Sequence, residues 1–227
     1  GVERFTSRPS PEALPTPQSR SKPPQEYVRP AATSTAYPPL RIRPSDAVLS
    51  DAQVTIAEAE TIGDRIPLVG HPDLQMLGEA VHRFLAADNP DAQTAMRTQR
   101  AAATLARWGV PQLSAADTVA ISDRLQSFIT RRFGSATQLK EWPIHAVDGL
   151  QIVGGRLDLL IDIGDGFAII DHKSFPGSVG LDELRLREFA GQVNLYARAI
   201  QRITGKGHFE YWIHQPIAAV MTRIELE

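Results

Sequence analysis

The segment GGRLDLLIDIGDGFAIIDHKSF (residues 154–175) restricts the possible folds more than any other stretch of this 227-residue chain. Apolar runs on either side of Gly164-Asp165-Gly166 predict two adjacent, largely buried strands joined by a tight turn. Asp158, Asp171 and Lys173 interrupt these runs, and an isolated charge is costly to bury. The fold must therefore bring the three charges together or give each of them its own partner.

The hairpin spacing predicts that the three charges share one face of the sheet. If Gly164-Asp165 is a two-residue loop, Asp158 lies opposite Asp171. If Asp165-Gly166 is the loop, Asp158 lies opposite Lys173. Asp171 and Lys173 are two residues apart, so they share a face in either case. A three-residue loop is the alternative that would move Asp158 to the other face.

Such a cluster indicates a divalent metal site. Two carboxylates on neighbouring strands repel each other unless a cation lies between them, and hard carboxylate oxygens suit Mg²⁺ or Mn²⁺. Lys173 is then available to orient or deprotonate a water, or to neutralise a phosphate. Together these groups are the inventory that phosphodiester hydrolysis requires. The alternative is a buried Asp–Lys salt bridge beside a solvated aspartate.

Composition limits the remaining classes. With 42% hydrophobic residues and a net charge of −2, the chain resembles ordinary globular proteins rather than strongly basic nucleic-acid binders. It has no cysteine, so we expect no disulfide, zinc–thiolate site or iron–sulfur cluster. No apolar run approaches the roughly 18–20 residues that cross a bilayer, so we expect no membrane contact.

The chain divides into a proline-rich part and a patterned part. Residues 1–45 are predicted to form a flexible linker, whose basic residues offer the alternative of holding a polyanion. Residues 46–227 are predicted to form one domain, with a helical part over about 46–134 and a sheet core over about 138–227. The first residue is Gly1 rather than Met, which favours a piece of a longer protein.

Periodicity predicts an α/β fold with an N-terminal helical layer. Residues 41–72 are interpreted as irregular with a short helix. Helices are predicted at 73–87, 91–108, 114–133 and 182–205, and strands at 138–147, 150–163, 166–175, 208–216 and 218–227.

Four motifs occur in an order that resembles a known family. GGRLDLLID…GDGFAIIDHKS resembles the PD-(D/E)xK nuclease core, a restriction-endonuclease-like mixed sheet flanked by helices. GQVNLYARAI is similar to the Q-x-x-x-Y helix of its RecB-like subgroup, and LGEAVHRFL to that subgroup's histidine motif. GDRIPLVGHPDLQMLGEAVHRFLAAD resembles, more narrowly, the C-terminal nuclease domain of AddA-type helicase–nucleases. The resemblance covers about residues 62–215.

The resemblance implies site residues and a cofactor. The implied metal ligands are His82, Asp158, Asp171 and the backbone carbonyl of His172, for Mg²⁺ with Mn²⁺ as a substitute. Lys173 would be the catalytic lysine, and Gln192 and Tyr196 would reach the DNA strand or the active site. Glu141 and Arg156 are candidates for support, with a salt bridge as the alternative for Arg156. Five further arginines are candidates for phosphate contacts or for a solvated face: Arg97, Arg100, Arg107, Arg131 and Arg132.

The predicted function is a metal-dependent DNA nuclease domain, specifically the single-strand exonuclease of a helicase–nuclease that processes double-strand breaks. Expected partners are single-stranded DNA, a helicase portion of the same parent chain and a second helicase–nuclease subunit. The expected location is the bacterial cytoplasm, at the nucleoid. Two alternatives remain: a non-catalytic module that binds DNA or braces a partner, and a stand-alone repair or defence nuclease.

Overall fold

A computed structural model describes residues 40–47, 54–174 and 183–226. Most of the predicted linker, residues 1–45, therefore lies outside the described residues, and the boundary at 45/46 stays a prediction. All described residues belong to one of the two compact units of the chain, Pro38–Glu227.

The described residues contain seven strands and four α-helices. The strands are β1 Arg41–Ile42, β2 Val54–Thr61, β3 Gln138–Asp148, β4 Gln151–Asp162, β5 Gly166–His172, β6 His208–Gln215 and β7 Val220–Leu226. The helices are α1 Leu74–Ala87, α2 Thr94–Trp108, α3 Ala115–Phe133 and α4 Glu183–Thr204. A single 3₁₀ turn, Pro44–Asp46, follows β1.

All seven described strands belong to one mixed sheet. Six of them follow the order β1-β4-β5-β6-β7-β2, and the seventh, β3, pairs with β4 outside this path. β3 pairs antiparallel with β4 along almost the whole of that strand, so β1 and β5 share its other edge. The β1–β4 and β5–β6 pairs are parallel, and the other pairs are antiparallel. α4 supplies the connection that the parallel β5–β6 pair requires.

The predicted helices are confirmed to within a few residues. Asp73 caps α1 by accepting from two backbone N–H groups, and Ser114 caps α3 by accepting from Asp117 N–H. α2 begins at Thr94, later than predicted, because residues 91–93 form a turn after Pro90.

The interpretation of residues 41–72 as irregular with a short helix is wrong for Arg41–Ile42 and Val54–Thr61, which are strands. It holds for residues 62–72 and for the 3₁₀ turn Pro44–Asp46. Val54–Thr61 forms β2, which pairs antiparallel with β7 and contains a bulge between Ile56 and Glu58. As the last strand of the sheet, β2 keeps most of its side chains partly or fully exposed, so VTIAEAET lacks the apolar run of a buried strand. Residues 54–61 form a strand because they pair with β7, which comes more than 150 residues later, and the local sequence pattern does not indicate this pairing.

Two hydrophobic clusters cover opposite faces of the sheet. One joins α1, α2 and α3 to the sheet around Phe128 and Trp212, and the other joins α4 to it around Phe189 and Ile213. Each core side chain of this kind stabilises the fold by about 1.5–3 kcal/mol through burial. The sheet is therefore packed on both faces around the positions that carry the charged residues.

The β3–β4 hairpin exchanges faces at one position. Leu159 packs in the cluster under α1–α3, whereas Leu157 packs in the α4 cluster, although regular alternation would give them one face. The exchange occurs at Asp158 and, across the ladder, at Glu141, whose backbone is left-handed with φ 50°. We call this position, Glu141 with Asp158, the face switch. It places Asp158 where the strand turns from one helical layer to the other.

Candidate active site

The β4–β5 hairpin has the first of the two predicted registers. Leu159 pairs with Ile170, and the pairing runs to Asp162 with Phe167, so Gly164-Asp165 is the loop. Beyond Leu159 and Ile170 this ladder ends, while β5 continues beside β6 as far as His172. In the opening between the strands, Oδ2 of Asp158 accepts the His172 N–H at 2.8 Å.

Asp171 and Lys173 contact each other and α4. Lys173 Nζ lies 2.7 Å from Asp171 Oδ2, as an ion pair without hydrogen-bond alignment. Gln192 donates through Nε2 to Asp171 Oδ1 at 2.8 Å, and its Oε1 lies 3.5 Å from Lys173 Nζ. The predicted Asp–Lys salt bridge is thus present, and it lies within a larger cluster rather than apart from it.

His82 connects α1 to both strands. Its Nε2 is 2.8 Å from the carbonyl oxygen of His172, and its Nδ1 is 3.4 Å from Asp158 Oδ1. Burial lowers the pKa of His82, but the hydrogen bond and the charge of Asp158 outweigh burial and raise it above 6.5. A neutral imidazole has one N–H, whereas here both nitrogens face oxygen atoms. A cation, either a second proton or a metal, therefore suits this position.

The two carboxylates have opposite pKa shifts. For Asp158, burial favours protonation, but hydrogen bonds from His82 and His172 and their charges hold its pKa well below the usual range. For Asp171, burial and the nearby charge of Asp158 raise the pKa despite Lys173. Burial likewise opposes the charge of Lys173, but Asp171 raises its pKa. Such separation of neighbouring carboxyl groups is typical of catalytic sites.

His214 is a further residue of the cluster, and its sequence context does not reveal it. Its Nδ1 lies 3.0 Å from Nδ1 of His172, so one ring donates and the other accepts. Both rings are buried. Burial lowers the pKa of His172 to about 4 and that of His214 well below 6.5. Nothing in YWIHQP distinguishes His214 from an ordinary strand residue, because its partner is 42 residues away.

Tyr196 contacts β4 rather than the carboxylates. Its hydroxyl donates to the backbone carbonyl of Arg156 at 2.8 Å, and burial raises its pKa to about 12, which keeps it a neutral donor. A Cβ on Gly155 would lie 2.8 Å from that hydroxyl and 3.0 Å from Pro44, so glycine is required for this approach. Arg156 forms a salt bridge with Glu141, with 3.2 Å between the guanidinium and the carboxylate. This is the alternative to a phosphate contact that the sequence offered for Arg156.

Three of the five candidate phosphate-binding arginines pair with carboxylates. Arg97 is buried and bonds to Asp88 and Asp123, which makes it a structural residue rather than a phosphate contact. Arg131 pairs with Glu60, and Arg132 pairs with Glu210 at 3.3 Å. Arg100 donates to the carbonyl of Ala87, and Arg107 is exposed.

The groups that converge here are of types that bind a hard divalent cation. Two carboxylates, a backbone carbonyl and an imidazole converge where the β4–β5 ladder ends, Asp158 within β4 and Asp171 near the end of β5. Within residues 40–47, 54–174 and 183–226, however, no three His, Asp or Glu side chains form a ready-made metal site. The predicted ligands are engaged instead with one another, with Lys173 and with Gln192. Their types fit Mg²⁺ or Mn²⁺.

Comparison with known proteins identifies the class. Residues 61–226 match the PD-(D/E)XK nuclease superfamily, and the chain belongs to that family. The mixed sheet between two helical layers is its restriction-endonuclease-like α/β fold, with the N-terminal helices forming one layer.

Its relatives are each named as the A subunit of an ATP-dependent helicase/nuclease. The protein of Desulforamulus reducens is 48% identical over 71 residues, which are 31% of this chain and 6% of the relative. That of Carboxydothermus hydrogenoformans is 44% identical over 63 residues, 28% of this chain and 5% of the relative. The chain thus aligns with about one-twentieth of these proteins.

A solved structure described as "Crystal structure of SSO0001" covers 67% of this chain and 74% of its own, with 13% identity and a TM-score of 0.31. This likeness is too slight to bear on function. Among the described helices, none has the length and apolar character to cross a membrane.

Proposed function

We propose that this chain is the nuclease domain of a helicase–nuclease and hydrolyses phosphodiester bonds in single-stranded DNA as an exonuclease. The observation that carries the proposal is the cluster where the β4–β5 ladder ends. There Asp171 contacts Lys173 and Gln192, while Asp158 contacts His82 and His172. A role in processing double-strand breaks, a helicase portion in the same parent chain, a place at the nucleoid and a second helicase–nuclease subunit belong to the same proposal. The names of the relatives support the helicase portion.

A divalent cation, Mg²⁺ or in its place Mn²⁺, would be held by Asp158, Asp171, His82 and the His172 carbonyl, and would supply Lewis-acid stabilisation of charge at the scissile phosphate. Hydrolysis joins a water oxygen to phosphorus, breaks one ester P–O bond and returns a proton to the leaving oxygen. Lys173 orients the attacking water and neutralises negative charge that develops on the phosphate. Gln192 keeps Asp171 and Lys173 in their relative positions.

The test is cleavage of a single-stranded oligonucleotide by the chain with Mg²⁺, with Mn²⁺ and with EDTA. We expect cleavage that requires a divalent ion and that Asp171→Ala and Lys173→Ala each abolish. Asp165→Asn is the matched control, because Asp165 is an exposed carboxylate in the turn of the same hairpin. Metal binding is measured separately by calorimetry.

Products from an end-labelled strand distinguish an exonuclease, which releases short products from one end, from an endonuclease. Absence of cleavage together with absence of metal binding would overturn the proposal in favour of a non-catalytic module. Cleavage that persists in Asp171→Ala would exclude this cluster as the active site.

A further inference from the structure

We propose that Trp142 stacks on a nucleobase of the DNA strand next to the phosphate that is cleaved. This inference rests on the proposed nuclease function and adds a substrate-binding residue to it. Trp142 is 43% exposed, whereas Trp212 is fully buried and Trp108 is partly buried. An exposed indole offers a flat apolar face on which another planar ring can stack.

The face switch determines where Trp142 lies. Trp142 directly follows Glu141 and pairs with Leu157, the residue before Asp158. Cross-strand partners share a face, and Leu157 packs in the α4 cluster. Trp142 therefore lies on the α4 side of the sheet. Asp171 and Lys173 contact Gln192 of α4 on that same side.

The chemistry around Trp142 suits a single strand of DNA. Glu141, its neighbour in sequence, lines a cavity with His82, Asp158 and His172 on the α1–α3 side. Trp142 itself lies on the α4 side, opposite Leu157 and therefore one residue from Asp158 along β4. A base of any identity offers a flat apolar face to an indole ring, and stacking of this kind is tolerant of sequence. A duplex hides those faces in its own stack. Stacking on Trp142 thus requires an unpaired base, as a single-stranded substrate provides.

Binding is measured in EDTA, where cleavage does not interfere, with oligo(dT) and with an abasic oligonucleotide of the same length. We expect Trp142→Ala to weaken binding of oligo(dT) about 5- to 150-fold, and Trp142→Phe to retain most of the affinity. Neither substitution should change binding of the abasic strand, which has phosphates but no bases.

Val147→Ala is the matched control, because Val147 is an exposed apolar residue of the same strand. It pairs with Ile152, six residues from Asp158, or roughly 20 Å at ~3.3 Å per residue. Its affinity for oligo(dT) should equal that of the wild type. Because Trp142 is exposed, thermal unfolding should show that all three variants fold.

Tryptophan fluorescence gives a second readout. Oligo(dT) should quench the emission of the wild type, and Trp142→Phe should remove that quenching, because Trp212 is fully buried and Trp108 is partly buried against the α1–α3 cluster. Equal binding of oligo(dT) by wild type and Trp142→Ala, or an equal loss for the abasic strand, would overturn the stacking proposal while leaving the nuclease intact. A wild-type chain that neither binds nor cleaves DNA would overturn both.

Discussion

The backbone N–H of His172 donates to Oδ2 of Asp158 at 2.8 Å, immediately beyond the last paired residues of β4 and β5. A side-chain oxygen thereby occupies the place of a backbone acceptor in the ladder. Asp158 consequently holds the two strands together in addition to any part it has in catalysis. The two contributions are separable by substitution.

Asp158→Ala should lower the free energy of unfolding by about 1–3 kcal/mol, because it leaves a buried N–H without a partner. Asp158→Asn retains an oxygen for His172 and should cost less, yet it removes the negative charge. Both variants should lose cleavage. Urea unfolding and cleavage assays measure the two effects, and an asparagine variant with wild-type cleavage would contradict the proposed role of the carboxylate.

His214→Leu should reduce cleavage roughly 10- to 100-fold, as is usual when the partner of a metal-site residue is removed. The leucine leaves Nδ1 of His172 unpaired, so the His172 ring loses its partner on β6, while the backbone of the segment keeps its pairing with that strand. Imidazole ¹⁵N shifts of His172 provide a readout that is independent of activity. His145→Ala is the control, since His145 is exposed on β3; unchanged His172 shifts in His214→Leu would refute the link.

Gly155→Ala and Tyr196→Phe should be coupled. The added Cβ meets the tyrosine hydroxyl at 2.8 Å, so Gly155→Ala should cost about 1–3 kcal/mol of stability. Tyr196→Phe removes the hydroxyl and leaves the Arg156 carbonyl unpaired, at a similar cost. A double-mutant cycle should show that the two losses together are smaller than their sum. Strict additivity would mean that Pro44, rather than Tyr196, limits the space at this glycine.

Because of Asp88, the free energy of unfolding should decrease as the pH falls into the acid range. Burial raises its pKa, but hydrogen bonds from Arg97 and Ser122 outweigh burial and hold it below 3.8. A lowered folded-state pKa stabilises the fold above the unfolded value, and that stabilisation is lost as pH falls through the folded value. Asp88→Asn should therefore cost roughly 3 kcal/mol at neutral pH, as for a broken buried ion pair, and less below about pH 4. A pH-independent difference in urea unfolding would contradict this.

Local chemistry explains which features were predictable. The tight turn between β4 and β5 followed from Gly164-Asp165-Gly166, with two registers left open, of which the structure has the first. The starts of α1 and α3 followed from Asp73 and Ser114, because caps depend on residues close together in sequence. The proximity of Asp158, Asp171 and Lys173 followed from either register. The single shared face did not hold, because Asp158 contacts His82 of α1 whereas Asp171 and Lys173 contact Gln192 of α4.

The unpredicted features depend on distant residues. β2 is ordered by β7, Arg97 is buried by its contacts with Asp88 and Asp123, and His214 meets His172 across two strands. Strand geometry by itself implies regular alternation of faces along the β3–β4 hairpin. In the structure, the left-handed backbone of Glu141 breaks that alternation, and glutamate carries no local signal for such a conformation.

The face switch couples the packing of the β3–β4 hairpin to the position of the charged cluster, because one backbone conformation at Glu141 and Asp158 determines both. If a variant restored ordinary alternation at Glu141, Leu157 and Ile144 would leave the α4 core, and Trp142 would turn toward the other helical layer. Substitutions in the hairpin must therefore preserve this change of face, even at positions whose side chains do not contact DNA. The left-handed conformation of Glu141 lowers the stability of the fold by about 1–3 kcal/mol. It also allows one continuous strand to contribute side chains to both hydrophobic clusters.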